Sequence, residues 1–211
     1  MKKLITFGDS WTVGAELGSE EKNYGELLAE LLGIYHENYG ISGSSNDEIF
    51  LQLQKYCSNT LLKNEDTIAV FFITSPTRSL YIDYDSNRYQ LFPRNDRNDG
   101  DRNYYFFKYF YSDKQENLRL YLCLNALQNL CREYKIKDYY VIGWADIDLD
   151  SACVNKNKFY PKTCAQMFNA PAEHEFTMAK SNKYVYPNNC HPNQAGHQLI
   201  AENLYDWIKN A

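Results

Sequence analysis

The 211-residue sequence lacks any stretch of about 18 uninterrupted apolar residues, which excludes an ordinary membrane-spanning helix. It also lacks a surplus of positive charge: 22 Lys and Arg stand against 27 Asp and Glu, giving a formal charge of −5. A protein that grips nucleic acid without regard to sequence needs a basic face to neutralise phosphates, so that class is excluded. The six cysteines, Cys57, Cys123, Cys131, Cys153, Cys164 and Cys190, are widely spaced and form no C-x-x-C pair. Reduced and mostly buried thiols are therefore expected. There is no H-E-x-x-H zinc signature, no G-x-x-x-x-G-K-S/T phosphate loop and no G-x-S-x-G elbow. Asp146-Ile147-Asp148-Leu149-Asp150 opens like a calcium loop, but Ser151 stands where glycine is required and Asn157 where the bidentate glutamate belongs. The apolar stretch in the opening MKKLITFGDS is too short for a secretory signal, which gives the expectation of a cytoplasmic protein. No metal, cofactor, membrane, nucleic acid or obligate protein partner is expected.

What is present fits one domain, residues 1–211, long enough to bury a core without metal or disulfide staples. Residues 3–7 read as a buried strand. Residues 19–32 place Tyr24, Leu27, Leu28 and Leu31 on one helical face that ends at Gly33. A second strand is expected over 34–39. A turn rich in glycine and serine follows, Gly40-Ile41-Ser42-Gly43-Ser44-Ser45, and opens a helix over about 46–63 with Ser45 or Asn46 as its cap. The run 67–73, TIAVFFI, is apolar on both faces, as suits a central parallel strand covered by helices. Residues 83–103 dissolve into mixed charge and read as a solvated loop or a lid, part of a loop insertion around 83–115. Leu120, Leu124, Leu127, Cys131 and Tyr134 then recur at helical spacing over 116–134. Another strand is expected over 138–143 and a terminal helix over 193–209, while residues 145–187 yield no assignment. Nineteen tyrosines are scattered along the chain and read mainly as core-edge residues, a ligand groove being the other reading.

Strands alternating with helices give an α/β sandwich with a mainly parallel sheet, and ligands of such sheets bind beyond the carboxyl ends of the strands. Ser10, in the Gly8–Gly14 segment GDSWTVG, follows the first strand directly. A serine there is either a helix cap with Asp9 or a nucleophile, and a nucleophilic serine needs a base within hydrogen-bond reach. His191, in CHPNQAGH near the far end, offers one. The backbone N–H groups of Ser10 and Gly43 are candidate donors to an oxyanion, glycine permitting close approach of a substrate. His197 reads as a packing or surface residue, His36 lies in an expected strand, and His174 falls in the unassigned region.

GDSWTVG, NYGISGSSN and CHPNQAGH, in this order, resemble the three blocks of the GDSL or SGNH hydrolase family. The resemblance implies a flavodoxin-like three-layer α/β/α sandwich with a mainly parallel five-stranded sheet. It implies an acyl-serine mechanism on esters, thioesters or carbohydrate O-acetyl groups, with Ser10 as nucleophile, Gly43 as oxyanion donor and His191 as base. Two positions depart from the pattern. Where the family carries G-x-N-D after the third strand, this chain has Ile73-Thr74-Ser75-Pro76, which leaves Ser75, Thr74 or Asn46 as candidates for the third oxyanion donor. Asn46 has helix capping as its other reading. Where the family's D-x-x-H places an aspartate, this chain has Asn188, whose side-chain carbonyl is the expected partner of the His191 ring. Asp9, Trp11 and Arg78 are assigned to substrate binding, Arg78 having a surface ion pair as its alternative. The expected activity is a serine esterase acting on a small acyl or acetyl ester, with a carbohydrate O-acetyl group among the candidates. The alternative is an inactive binding module for a glycan or other polar ligand on the same scaffold. A flavodoxin-like nucleotide binder ranks third, on fold analogy alone.

Overall fold

The computed structural model describes residues 2–59, 66–91, 102–143, 147–170, 182–187 and 190–210. Four parallel strands, β1 (Lys3–Phe7), β2 (Tyr35–Asn38), β3 (Thr67–Ile73) and β6 (Lys137–Ile142), form the main sheet in the order β2-β1-β3-β6. Side chains alternate across it with period two. Leu4, Val70, Phe72, Tyr139 and Val141 point to one face, where they meet α2 (Tyr24–Leu32) and the terminal helix α7 (Gln194–Asn210). Ile5, Phe7, Ala69, Phe71, Ile73 and Tyr140 point to the other, against α3 (Asn46–Asn59) and α5 (Asp113–Glu133). Both faces are covered, which is why β3 is apolar throughout.

The helices start and stop where their chemistry dictates. Asn23 caps α2 through a reciprocal box: its Oδ1 accepts from the N–H of Gly25 and Glu26, and Glu26 Oε2 accepts from the Asn23 N–H. The expected helix over 19–32 is thus shorter, and a separate four-residue turn, α1 (Ser10–Val13), precedes it. The cap of α3 is Ser45, whose Oγ accepts from the Glu48 N–H, and not Asn46. In α5 the buried residues Leu120, Leu124, Leu127 and Cys131 recur at helical spacing and carry the contact with the sheet.

Two expectations are corrected. Among the described residues the sheet has four strands and not five; the fifth position is reduced to a bridge between Phe159 and Tyr140, closed by the Tyr160 N–H on the Tyr140 carbonyl. Nor is the insertion all loop. Its described parts contain strand β5 (Arg88–Leu91), which forms an antiparallel hairpin with the preceding β4 (Ser79–Ile82), and helix α4 (Arg102–Tyr109), while residues 92–101 lie outside the described set. The hairpin is pinned by buried charge: Glu116, 3 % exposed, accepts from Ser79 Oγ at 2.8 Å and pairs with Arg119, which also reaches Asp47 on α3. Gln90 on β5 accepts from the Ser45 N–H, so the hairpin rests against the start of α3. Short elements also appear in the region left unassigned, α6 (Cys164–Met167) among them. Among the described residues no helix is long and apolar enough to cross a membrane.

Candidate active site

The carboxyl ends of β1 and β3 are tied together by Asp9. Its Oδ1 caps α1 by accepting from the Trp11 N–H at 3.1 Å, and its Oδ2 accepts from Thr74 Oγ1 at 3.1 Å and from Arg78 Nη1 at 2.8 Å. The Asp9 side chain is 1 % exposed, so a charge in this position requires such a partner set. Asp9 is therefore a clasp inside the protein and not a substrate contact, which corrects the sequence assignment. Trp11 is corrected on the same ground: it is buried and packed between Phe72 and Phe168. Arg78 is the ion-pair partner of Asp9, in line with its alternative reading.

With Asp9 fixed, Ser10 begins α1, and its Oγ lies 3.0 Å from Nε2 of His191. Two segments remote in sequence meet because the start of α7 latches onto the start of α2. Gln194 exchanges hydrogen bonds with the backbone of Lys22, and the Tyr24 N–H donates to His197 Nδ1 at 3.1 Å. His197 is fully buried and stacked on Tyr24, and burial pushes its imidazole down to about 4. Asn193 caps α7 by accepting from the Gly196 N–H. A bridge between Val185 and Pro192 and the Tyr186 N–H on the His191 carbonyl fix the chain on either side of the imidazole.

For Ser10 to donate to Nε2, the ring must carry its proton on Nδ1. Nδ1 faces the carboxylate of Glu16, with Oε1 at 3.1 Å; the contact lacks the alignment of a hydrogen bond and is an ion pair only when the ring is protonated. Sequence reasoning missed Glu16 entirely. Asn188 lies outside the described residues, as does His174. The fourth histidine, His36, bonds Thr6 Oγ1 from β2, and burial lowers it to about 4.

Beside Ser10, the turn holding Gly43 is anchored by the Ile41 N–H on the Gly8 carbonyl. Gly43 has φ +79°, with open space where a Cβ would stand. Among the described residues the N–H groups of Ser10 and Gly43 have no hydrogen-bond acceptor. Asn46 differs: its Nδ2 donates to the Thr74 carbonyl at 3.0 Å and its Oδ1 accepts from the Thr74 N–H at 3.1 Å, so the amide is engaged on both ends by one buried residue. The Thr74 hydroxyl is spent on Asp9, and Ser75 Oγ pairs with Thr77 Oγ1 and accepts from the Thr77 N–H.

No family model matches the sequence, and no curated protein does. Solved structures do. A member of the lipolytic protein G-D-S-L family from Veillonella parvula matches over 100 % of both chains at 14 % identity and a TM-score of 0.58. The fold is that of the GDSL/SGNH hydrolases. TesA matches over 99 % of both chains at 11 % identity and a TM-score of 0.59. A carbohydrate esterase family 2 enzyme from Corynascus thermopiles matches at 15 % identity and a TM-score of 0.57, over 99 % of this chain and 66 % of that one. In the SGNH fold described here, Ser10 and His191 come from the two ends of the chain and meet at the strand ends where such sheets bind ligands.

Proposed function

We propose that this protein is a serine hydrolase of the SGNH type, an esterase that cleaves a small acyl or acetyl ester, with a carbohydrate O-acetyl group as a candidate substrate. The observation that carries the reading is the 3.0 Å separation of Ser10 Oγ and His191 Nε2. The carbohydrate esterase named above, which shares the fold, supports a carbohydrate ester as the candidate.

In this reading Ser10 Oγ attacks the ester carbonyl carbon as His191 Nε2 takes its proton. The carbonyl oxygen becomes an alkoxide, held by the N–H groups of Ser10 and Gly43. Collapse of this tetrahedral species expels the alcohol, protonated by His191, and leaves an acyl-serine. Water then attacks the acyl carbon, His191 taking its proton, and collapse releases the acid and returns the proton to Ser10. Arg78 acts behind the nucleophile, neutralising Asp9, and does not contact the substrate.

The test is hydrolysis of a chromogenic acetate by the wild type and by Ser10→Ala, alongside labelling with a fluorophosphonate mapped by mass spectrometry. Labelling at Ser10 and loss of turnover in the variant are expected. Equal rates and no label at Ser10 would overturn the esterase reading and leave the fold as a binding module for a glycan or other polar ligand.

A further inference from the structure

We propose that Glu16 is the positioning carboxylate of the site, the group that holds the proton of His191 on Nδ1 and stabilises the imidazolium formed when Ser10 attacks. The inference rests on the serine hydrolase reading and extends it to a residue six positions after the nucleophile. The resemblance noted in the sequence implies an aspartate three residues before the histidine, where this chain has the neutral Asn188.

Three observations converge on Glu16. Its Oε1 lies 3.1 Å from Nδ1, and among the described residues it is the only carboxylate in ion-pair contact with the ring. The nearby Glu21 is engaged elsewhere, accepting from the Tyr186 hydroxyl and from the Gly18 N–H. The backbone supplies the second observation. Glu16 has φ +74°, a left-handed conformation in which glycine or asparagine is more comfortable than a glutamate. It follows Gly14, at φ +80°, and the Ala15 N–H bonds back to the Ser10 carbonyl at 2.9 Å. Two left-handed residues within three positions fold the chain leaving α1 back toward its own start. A conformation disfavoured for its residue type, held beside the reacting groups, is the pattern expected when the side chain is needed there.

The third observation is shelter. The side chains of Glu16 and His191 are 31 % and 23 % exposed, so water screens their attraction only in part. Nδ1 itself is buried with no aligned hydrogen-bond acceptor. A small rotation of the ring or carboxylate aligns the pair, and a developing positive charge on the ring favours that rotation; contacts of this kind commonly tighten as the reaction proceeds. Because Ser10 and Glu16 flank the same turn, nucleophile and carboxylate are positioned by one segment, and only the imidazole comes from the far end of the chain.

The experiment compares Glu16→Gln, Glu16→Gly and Ser10→Ala by steady-state hydrolysis of a chromogenic acetate, thermal melting and ¹⁵N spectra of His191. Replacing the triad carboxylate by its amide costs roughly 10⁴-fold in a serine protease. With the pair here partly exposed and bent, kcat of Glu16→Gln is expected to fall on the order of 10²- to 10³-fold, with KM within about twofold. Glu16→Gly should lose as much kcat while its melting temperature holds or rises, since glycine suits the left-handed backbone. The ¹⁵N spectrum should move from an Nδ1–H tautomer toward a mixture in both variants. Values of kcat within about threefold of wild type in both variants, or an unchanged tautomer, would overturn the role of Glu16. A Ser10→Ala variant that retains full turnover overturns the hydrolase reading instead, and the tautomer measurement still reports on Glu16.

Discussion

Ser10 Oγ and His191 Nε2 stand 3.0 Å apart although 181 positions separate them in the chain. The approach depends on hydrogen bonds that hold α7 against α2 and on the Asp9 clasp beneath Ser10, and each can be tested on its own.

In the proposed mechanism His191→Ala removes the base, and it leaves the fold nearly intact, since the side chain is partly exposed. A positioned general base contributes 10² to 10⁴ in rate, so kcat on a chromogenic acetate is expected to drop about 10³-fold. Urea unfolding should shift by less than about 1 kcal/mol.

Arg78→Ala leaves the buried Asp9 carboxylate with the Thr74 hydroxyl and the Trp11 N–H alone. Breaking a fully buried pair costs about 3–5 kcal/mol, and the partial exposure of Arg78 reduces this. A loss of about 2–4 kcal/mol is expected in urea denaturation, with hydrolysis falling because Ser10 follows Asp9 directly. A change below about 0.5 kcal/mol would show that the clasp is not what holds the turn.

Asn46→Ala removes both hydrogen bonds to the Thr74 backbone and should destabilise the protein by about 2–3 kcal/mol. Were Asn46 an oxyanion donor instead, the signature would be a 10²- to 10³-fold loss in kcat at unchanged stability. Unfolding and kinetics on the same preparation separate the two.

His197 gives the fold an acid limit. Its imidazole, lowered to about 4 by burial first and the neighbouring His191 second, binds fewer protons in the folded than in the unfolded chain, where the ordinary value is 6.5. Stability from this group is complete above about pH 6.5 and is lost as pH falls toward 4, by up to about 3 kcal/mol. Urea midpoints measured between pH 7 and 4 should fall steeply for the wild type. They should fall less for His197→Gln, whose amide has an acceptor for the Tyr24 N–H.

The layered architecture was legible in the sequence because period-two and helical patterns are local. The strand over 67–73 and the buried face of α5 stand where those patterns put them. Ser10 and His191 were legible as short motifs. Trp11 and Asp9 were misread because a motif reveals residue type and not burial. Trp11 is covered by Phe168, whose place beside it depends on the whole path of the chain, and Asp9 is satisfied by Thr74 and Arg78 from the end of another strand. The fifth strand was over-read: at Phe159 the chain touches the sheet edge for one bridge and leaves. Glu16 was invisible for a further reason. Its sign is a backbone angle, and nothing in Ala15-Glu16-Leu17 announces a left-handed residue.

The latch between Gln194 and Lys22 has a bearing on how the site is assembled during folding. Ser10 and His191 are 181 positions apart, so the two are joined only when α7 docks on α2. If the proposed esterase activity holds, the onset of turnover during refolding is a clock for that docking event.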